Sequence, residues 1–149
     1  MKRDLMRIKA YGIVDRMFRN QHSIETAVLE ARSVGRASCN ARGGGSGTPH
    51  ISDPTAREAI ENIMPISAVQ LPNGYIVRDP ENWLKVIHYV YSEMAEPDRQ
   101  VVQMFYSGKS AIAVSIECHV YESTVYRLRS ECRHMATELA CQYGLVRVA

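Results

Sequence analysis

Ser123, Tyr126, Arg127 and Ser130 fall close together in a stretch of this 149-residue chain where apolar residues recur at helical spacing. At about 100° per residue these four, with His134, share one side of such a helix, and Arg133 stands at its edge. Their chemistry is that of non-covalent reading. An arginine makes a bidentate bond to guanine, a serine bonds to several base edges or to phosphate, and a tyrosine meets a thymine methyl or a phosphate oxygen. Glu122 and Thr124 open the same helix, and Lys109, Ser110, Arg129 and Arg133 add donors suited to phosphates. The candidate DNA-binding residues are therefore Lys109, Ser110, Glu122, Ser123, Thr124, Tyr126, Arg127, Arg129, Ser130 and Arg133. The alternative is an ordinary solvated helix face.

Positioning these groups requires a firm back to the helix and a tight approach to it. Val125, Leu128, Cys132, Met135 and Leu139 alternate spacings of three and four, which defines a narrow apolar stripe opposite the polar side. Ahead of the helix, Gly108 is placed to end a preceding one, because glycine takes a left-handed conformation without steric penalty. Ser110 can then cap the next helix with its hydroxyl, and Val114, Ser115 and Cys118 share one face of it. His119, Val120 and Tyr121 make a corner with Val120 turned inward. Two short helices joined in this way form a helix-turn-helix, which lays its second helix in the major groove. Tyr121 cannot cap that helix, so Glu122 or Ser123 must satisfy its first N–H groups, or it begins a residue later.

Gly108, Ser110, Val114, Ser115, Val120, Thr124 and Val125 resemble in spacing the sigma-factor domain, region four, that reads the upstream promoter element. The run Ser-Thr-Val-Tyr-Arg-Leu-Arg-Ser-Glu-Cys-Arg-His-Met-Ala-Thr-Glu-Leu-Ala looks more like the phage-encoded RinA and ArpU group of transcriptional regulators. That likeness covers about the last third of the chain. Upstream it is looser, resting on length, on Ser52-Asp53-Pro54-Thr55-Ala56-Arg57 and on the tryptophan-bearing helix. The resemblance implies a protein that switches on phage late or structural genes, with that role carried by residues 97 to 143. Ala113, Cys118 and Tyr121 depart from the sigma pattern, where an acidic residue, a leucine and a capping serine are usual.

Net charge is only +2, but it is unevenly distributed. Residues 1 to 42 hold nine Lys and Arg against four Asp and Glu, residues 43 to 98 three against eight, and residues 99 to 149 six against four. A basic N-terminal arm and a mildly basic C-terminal reader thus flank an acidic middle, a layout that suits two DNA-facing surfaces on one acidic body. A hydrophobic fraction of 46% can supply a core. No apolar run approaches the roughly 18 residues of a membrane span, and the N-terminal segment lacks the apolar heart of a signal peptide. The expected location is the cytoplasm of a bacterial host.

Metal and catalytic chemistry find no footing. Cys39, Cys118, Cys132 and Cys141 contain no Cys-x-x-Cys pair, and Cys118 and Cys132 fall on stripes expected to be buried, so reduced thiols are the expectation. No Gly-x-Ser-x-Gly elbow or His-Glu-x-x-His helix is present. The glycines of 43 to 47 lack the Gly-Lys-Ser/Thr ending of a phosphate loop. No cofactor, metal or enzymatic activity is expected.

Upstream, residues 3 to 20 and 23 to 34 read as helices, with Tyr11, Val14 and Phe18, then Ile24, Val28 and Ala31, at helical spacing, and with Ser23 as a candidate cap. Asp53-Pro54 and Asp79-Pro80 each place an acidic residue before a proline at the first helical position. The first of these helices stops at Pro65. The second carries Trp83, Leu84, Val86, Ile87, Val90 and Tyr91 and forms the centre of the core, with His88 off the stripe. Between them, residues 69 to 77 read as a hairpin around Asn73-Gly74, which must lie on a helix or another chain to be stable. Glu96-Pro97 opens the helix that leads to Gly108.

The expectation is a mainly α protein: a basic helical arm at 1 to 40, a Gly-rich linker at 41 to 52, and a helical domain at 53 to 149 with one short hairpin. Two functions remain open. One is a sequence-specific regulator of transcription, an activator binding double-stranded DNA as a homodimer beside host RNA polymerase. The other is a DNA-packaging subunit of the small-terminase kind, which would assemble as a ring.

Overall fold

A computed structural model describes residues 2 to 40 and 64 to 148, the side chains of 35 to 40 excepted. The Gly-rich segment, the helix expected after Asp53-Pro54 and the Cys39 side chain lie outside the described residues. Within them the fold is mainly α, with one antiparallel hairpin. In chain order the elements are α1 (Lys2–Arg19), α2 (Gln21–Asn40), β1 (Ala68–Gln70), β2 (Ile76–Arg78), α3 (Pro80–Glu93), α4 (Glu96–Tyr106), α5 (Ala111–Cys118) and α6 (Glu122–Gln142). No described helix is long and apolar enough to cross a membrane.

The chain divides into two compact units, Met1–Gln21 with Asn82–Ala149 and His22–Glu81. This division does not follow the boundary expected at residue 40. The reason lies in α1, which buries Ala10, Val14, Met17 and Phe18 and packs on α4 and α6, so it belongs to the body of the first unit. The expected stripe of Tyr11, Val14 and Phe18 is present, with Tyr11 half-buried at its edge.

In that first unit α3 contributes Trp83, Val86, Ile87, Val90 and Tyr91, all buried, while His88 is exposed. Each fully buried aliphatic side chain is worth about 1.5 to 3 kcal/mol against exposure. α4 begins with Pro97 in its first turn, where a missing N–H costs nothing, and buries Val101, Val102 and Tyr106. Aromatic contacts tie α1 to this layer: the Phe18 ring lies edge-on at 5.4 Å from Tyr91 and tilted at 5.3 Å from Tyr106.

The second unit contains α2 and the hairpin. α2 starts at Gln21, two residues earlier than expected, so Ser23 sits inside its first turn and is not the cap. Val69 pairs with Val77 across the hairpin, and both are buried with Leu71. The turn is more specific than an Asn-Gly pair. The Leu71 carbonyl accepts from the Gly74 N–H at 2.9 Å across Pro72 and Asn73, and Gly74 then takes φ +85°, the left-handed bulge that closes three-residue hairpin loops. Asn73 Oδ1 accepts from the Tyr75 N–H at 3.0 Å and holds the loop. Arg32 of α2 bonds Glu81, whose other oxygen accepts from the Ile66 N–H at 3.2 Å. α2 and the hairpin loop also line one open cleft, from His22 and Thr26 to Leu71 and Gly74. Asp79 precedes Pro80 as expected but takes a left-handed φ of 50°.

Candidate nucleic-acid interface

The corner between α5 and α6 is assembled by local hydrogen bonds that the residue types dictate. Gly108 takes φ +105° after α4, a conformation in which a side chain is strained. Ser110 caps α5, its Oγ accepting from the Ala113 N–H at 3.2 Å. At the other end His119 takes φ 55° and ψ 42°, and the Val120 N–H reaches back to the Ser115 carbonyl at 3.1 Å. That closure is the left-handed helix end usually built on glycine. Val120, expected to turn inward, is half-buried.

α6 begins at Glu122 with Tyr121 at the cap position and no side-chain cap bond, as the tyrosine requires. The Tyr121 carbonyl receives the Thr124 and Val125 N–H groups, which fixes the start of the helix. Val125 locks α6 onto α5: it is fully buried, as is Val114 on the facing helix. Leu128 and Cys132 continue the seam. Beyond them the seam departs from expectation. Ala136, Thr137 and Ala140 are buried, whereas Met135 and Leu139 are half-buried. A seven-residue pattern drifts by about 40° over two heptads of a helix with about 3.6 residues per turn, and the small alanines permit close approach.

Ser123, Tyr126, Arg127 and Ser130 are all exposed on one side of α6, joined by exposed Glu122 and half-buried Thr124. Tyr126 rests its ring edge on Phe105 at 6.4 Å. The basic members carry partners: Arg127 Nη1 bonds Glu131 at 3.0 Å, and Lys109 Nζ bonds Glu117 at 2.8 Å. Both pairs are solvent-facing, and exchanging such a pair for a phosphate or a base costs about 0 to 1 kcal/mol. His134, on the same side further along, pairs with Glu138 at 3.2 Å.

Arg129 and Arg133 are placed differently from the sequence expectation. Instead of extending toward solvent they fold onto α1. Arg129 Nη2 donates to Asp15 Oδ2 at 2.8 Å, and Arg133 Nη1 approaches the same oxygen at 3.5 Å. Tyr106 Oη donates to Asp15 Oδ1 at 2.7 Å. The Arg129 guanidinium lies 5.3 Å from the Phe105 ring centroid and that of Arg133 4.6 Å from Tyr11, so both cations are also stacked on aromatic faces. Packing by α1 causes this. It covers a flank of α6 that a single-helix projection leaves open, and the two arginines meet a carboxylate there.

Asp15 is the residue the sequence reading passed over. Its signal was an acid among the apolar positions Tyr11, Val14 and Phe18. Burial chiefly, and then the neighbouring Asp15 charge, push the Cys132 thiol up to about 12. Tyr106 is raised above the usual phenol range by burial first and by its bond to Asp15 second. Cys118 is half-buried rather than buried, with Sγ 3.4 Å from Met104 Sδ. Among the described residues no three His, Cys, Asp or Glu are grouped to hold a metal. No family model, curated protein or solved structure matches the chain.

Proposed function

We propose that the chain is a sequence-specific double-stranded DNA-binding regulator of transcription, with α6 as its reading helix. The observation that carries this reading is the sidedness of α6. Its apolar seam is sealed against α5 and the rest of the unit, while Ser123, Tyr126, Arg127 and Ser130 stand exposed together near its N-terminal end. The N-terminal residues of a recognition helix are the ones that reach base edges in the major groove. Lys109 and Ser110, at the start of α5, supply the flanking phosphate contacts. Arg129 and Arg133 are not assigned to DNA, because Asp15 and two aromatic rings already hold them.

The first unit as a whole carries thirteen Lys and Arg against nine Asp and Glu, a positive balance that favours a polyanion. As the resemblance to phage regulators implies, the protein would act as an activator beside host RNA polymerase. A homodimer would set two reading helices about one turn of DNA apart.

Selection of bound duplexes from a random DNA pool tests the proposal. An enriched motif with two-fold symmetry supports a dimeric regulator, and recovery of no preferred sequence contradicts it. Light scattering separates the packaging alternative, which requires a large closed ring.

A further inference from the structure

We infer that Arg19, at the C-terminal end of α1, is a phosphate clamp beside the reading helix, and that the basic N-terminal end of the same helix is not. This rests on the DNA-binding reading of α6 and adds a contact from a second element.

The direction of α1 against α6 follows from their side-chain pairs. Arg133 lies over the Tyr11 ring at 4.6 Å. Asp15, one turn further along α1, takes its shorter α6 bond from Arg129, one turn back along α6. The two helices are therefore antiparallel, and each turn toward the C-terminus of α1 approaches the reading end of α6. The next turn of α1 brings Arg19, about 6 Å beyond Asp15 at 1.5 Å per residue. The next turn back along α6 from Arg129 brings Val125 and Tyr126. Four residues turn a helix by about 400°, so Arg19 stays within roughly 40° of the side on which Asp15 meets α6.

The Arg19 side chain is exposed and makes no hydrogen bond or ion pair with another described residue. The cations placed along α5 and α6 differ in this respect: Lys109, Arg127, Arg129 and Arg133 each face a carboxylate. A helix seated in a major groove about 12 Å wide lies within side-chain reach of the phosphates on the groove edge. An unneutralised guanidinium one helix away from the reading side chains meets that requirement. Lys2, Arg3, Arg7 and Lys9 precede Arg19 by ten to seventeen residues, which sets them about 15 to 26 Å back along the axis. They point the basic charge of α1 away from the reading end.

The test compares Arg19→Gln, Arg3→Gln and Arg127→Ala in the full chain, on a duplex recovered by selection and on a scrambled duplex, across a salt series. Arg19→Gln is expected to weaken both duplexes about fivefold at physiological salt and to lower the slope of log affinity against log salt by about 1. Arg3→Gln is expected to leave both nearly unchanged. Unaltered binding by Arg19→Gln, with Arg127→Ala still impairing the selected duplex, overturns the clamp and spares the reading of α6. Equal losses from Arg19→Gln and Arg3→Gln overturn it too, since they mark diffuse charge rather than placement. A wild-type chain that binds neither duplex overturns both claims. Circular dichroism of each variant confirms that the helices are intact.

Discussion

Asp15 and Arg129 stand 114 positions apart in the chain and are joined by a 2.8 Å bond between the first helix and the last. The same carboxylate takes the Tyr106 hydroxyl on its other oxygen, so one side chain ties three helices together. The ligands are only partly exposed, with Asp15 at 14% and Arg129 at 22% side-chain exposure, which makes the group costly to leave incomplete.

Replacing Asp15 by Ala strands two stacked guanidinium groups and a buried hydroxyl. Asp15→Ala is expected to lower unfolding free energy by about 2 to 4 kcal/mol in urea titrations. Tyr106→Phe removes one bond and keeps the ring, and about 1 kcal/mol is expected. Similar small losses from both variants would show that the carboxylate does not organise the unit.

The buried titratable groups set an alkaline limit. Cys132 is raised from 9.0 to about 12, and Tyr91 and Tyr106 are also raised, in each case chiefly by burial. Above the ordinary thiol and phenol values the unfolded chain releases protons that the folded chain retains, so folding loses free energy as pH rises. Stability is expected to hold below about pH 9 and to fall steadily between about pH 9 and 12, read from denaturation midpoints. Below pH 9, site-resolved alkylation is expected to modify half-buried Cys118 and Cys141 well before Cys132. Early labelling of Cys132 would contradict its placement.

The corner residue His119 holds a left-handed backbone that costs a side chain about 1 to 2 kcal/mol. His119→Gly is expected to be neutral or to stabilise by up to about 1 kcal/mol, its greater unfolded-state entropy offsetting part of the relief. His119→Val, β-branched, is expected to destabilise by about 1 to 2 kcal/mol. Thermal melts of the two variants should therefore move apart.

If the proposed reading of DNA holds, the two exposed cations of the candidate interface should separate by kind. Arg127→Ala is expected to lose about 1 to 3 kcal/mol on the selected duplex with relaxed preference at one base pair, whereas Lys109→Ala should weaken all sequences alike. Binding measured on single-base variants of the duplex distinguishes the two patterns.

Much of the architecture was legible because it is written in local chemistry. Gly108 and Ser110 bracket a helix boundary by conformational freedom and capping. Val114 and Val125 mark the facing sides of two helices by period, and Asn73-Gly74 marks a turn. What stayed hidden depends on which neighbour covers a helix flank. No periodicity in α6 says that α1 lies over Arg129 and Arg133, since a guanidinium on a flank suits a phosphate and a half-buried carboxylate equally well. The shift of the seam from Met135 and Leu139 to Ala136 and Ala140 has the same origin: larger apolar residues draw attention in a sequence, while close packing selects small ones.

Whether the exposed side of α6 meets DNA can be observed residue by residue. Titrating a selected duplex into isotope-labelled protein, and following backbone amide signals, should shift Ser123, Tyr126, Arg127 and Ser130 most, with Lys109 and Ser110 next and the hairpin from Ala68 to Arg78 unmoved. Shifts confined to α2 and the hairpin, with the exposed side of α6 silent, would contradict the account.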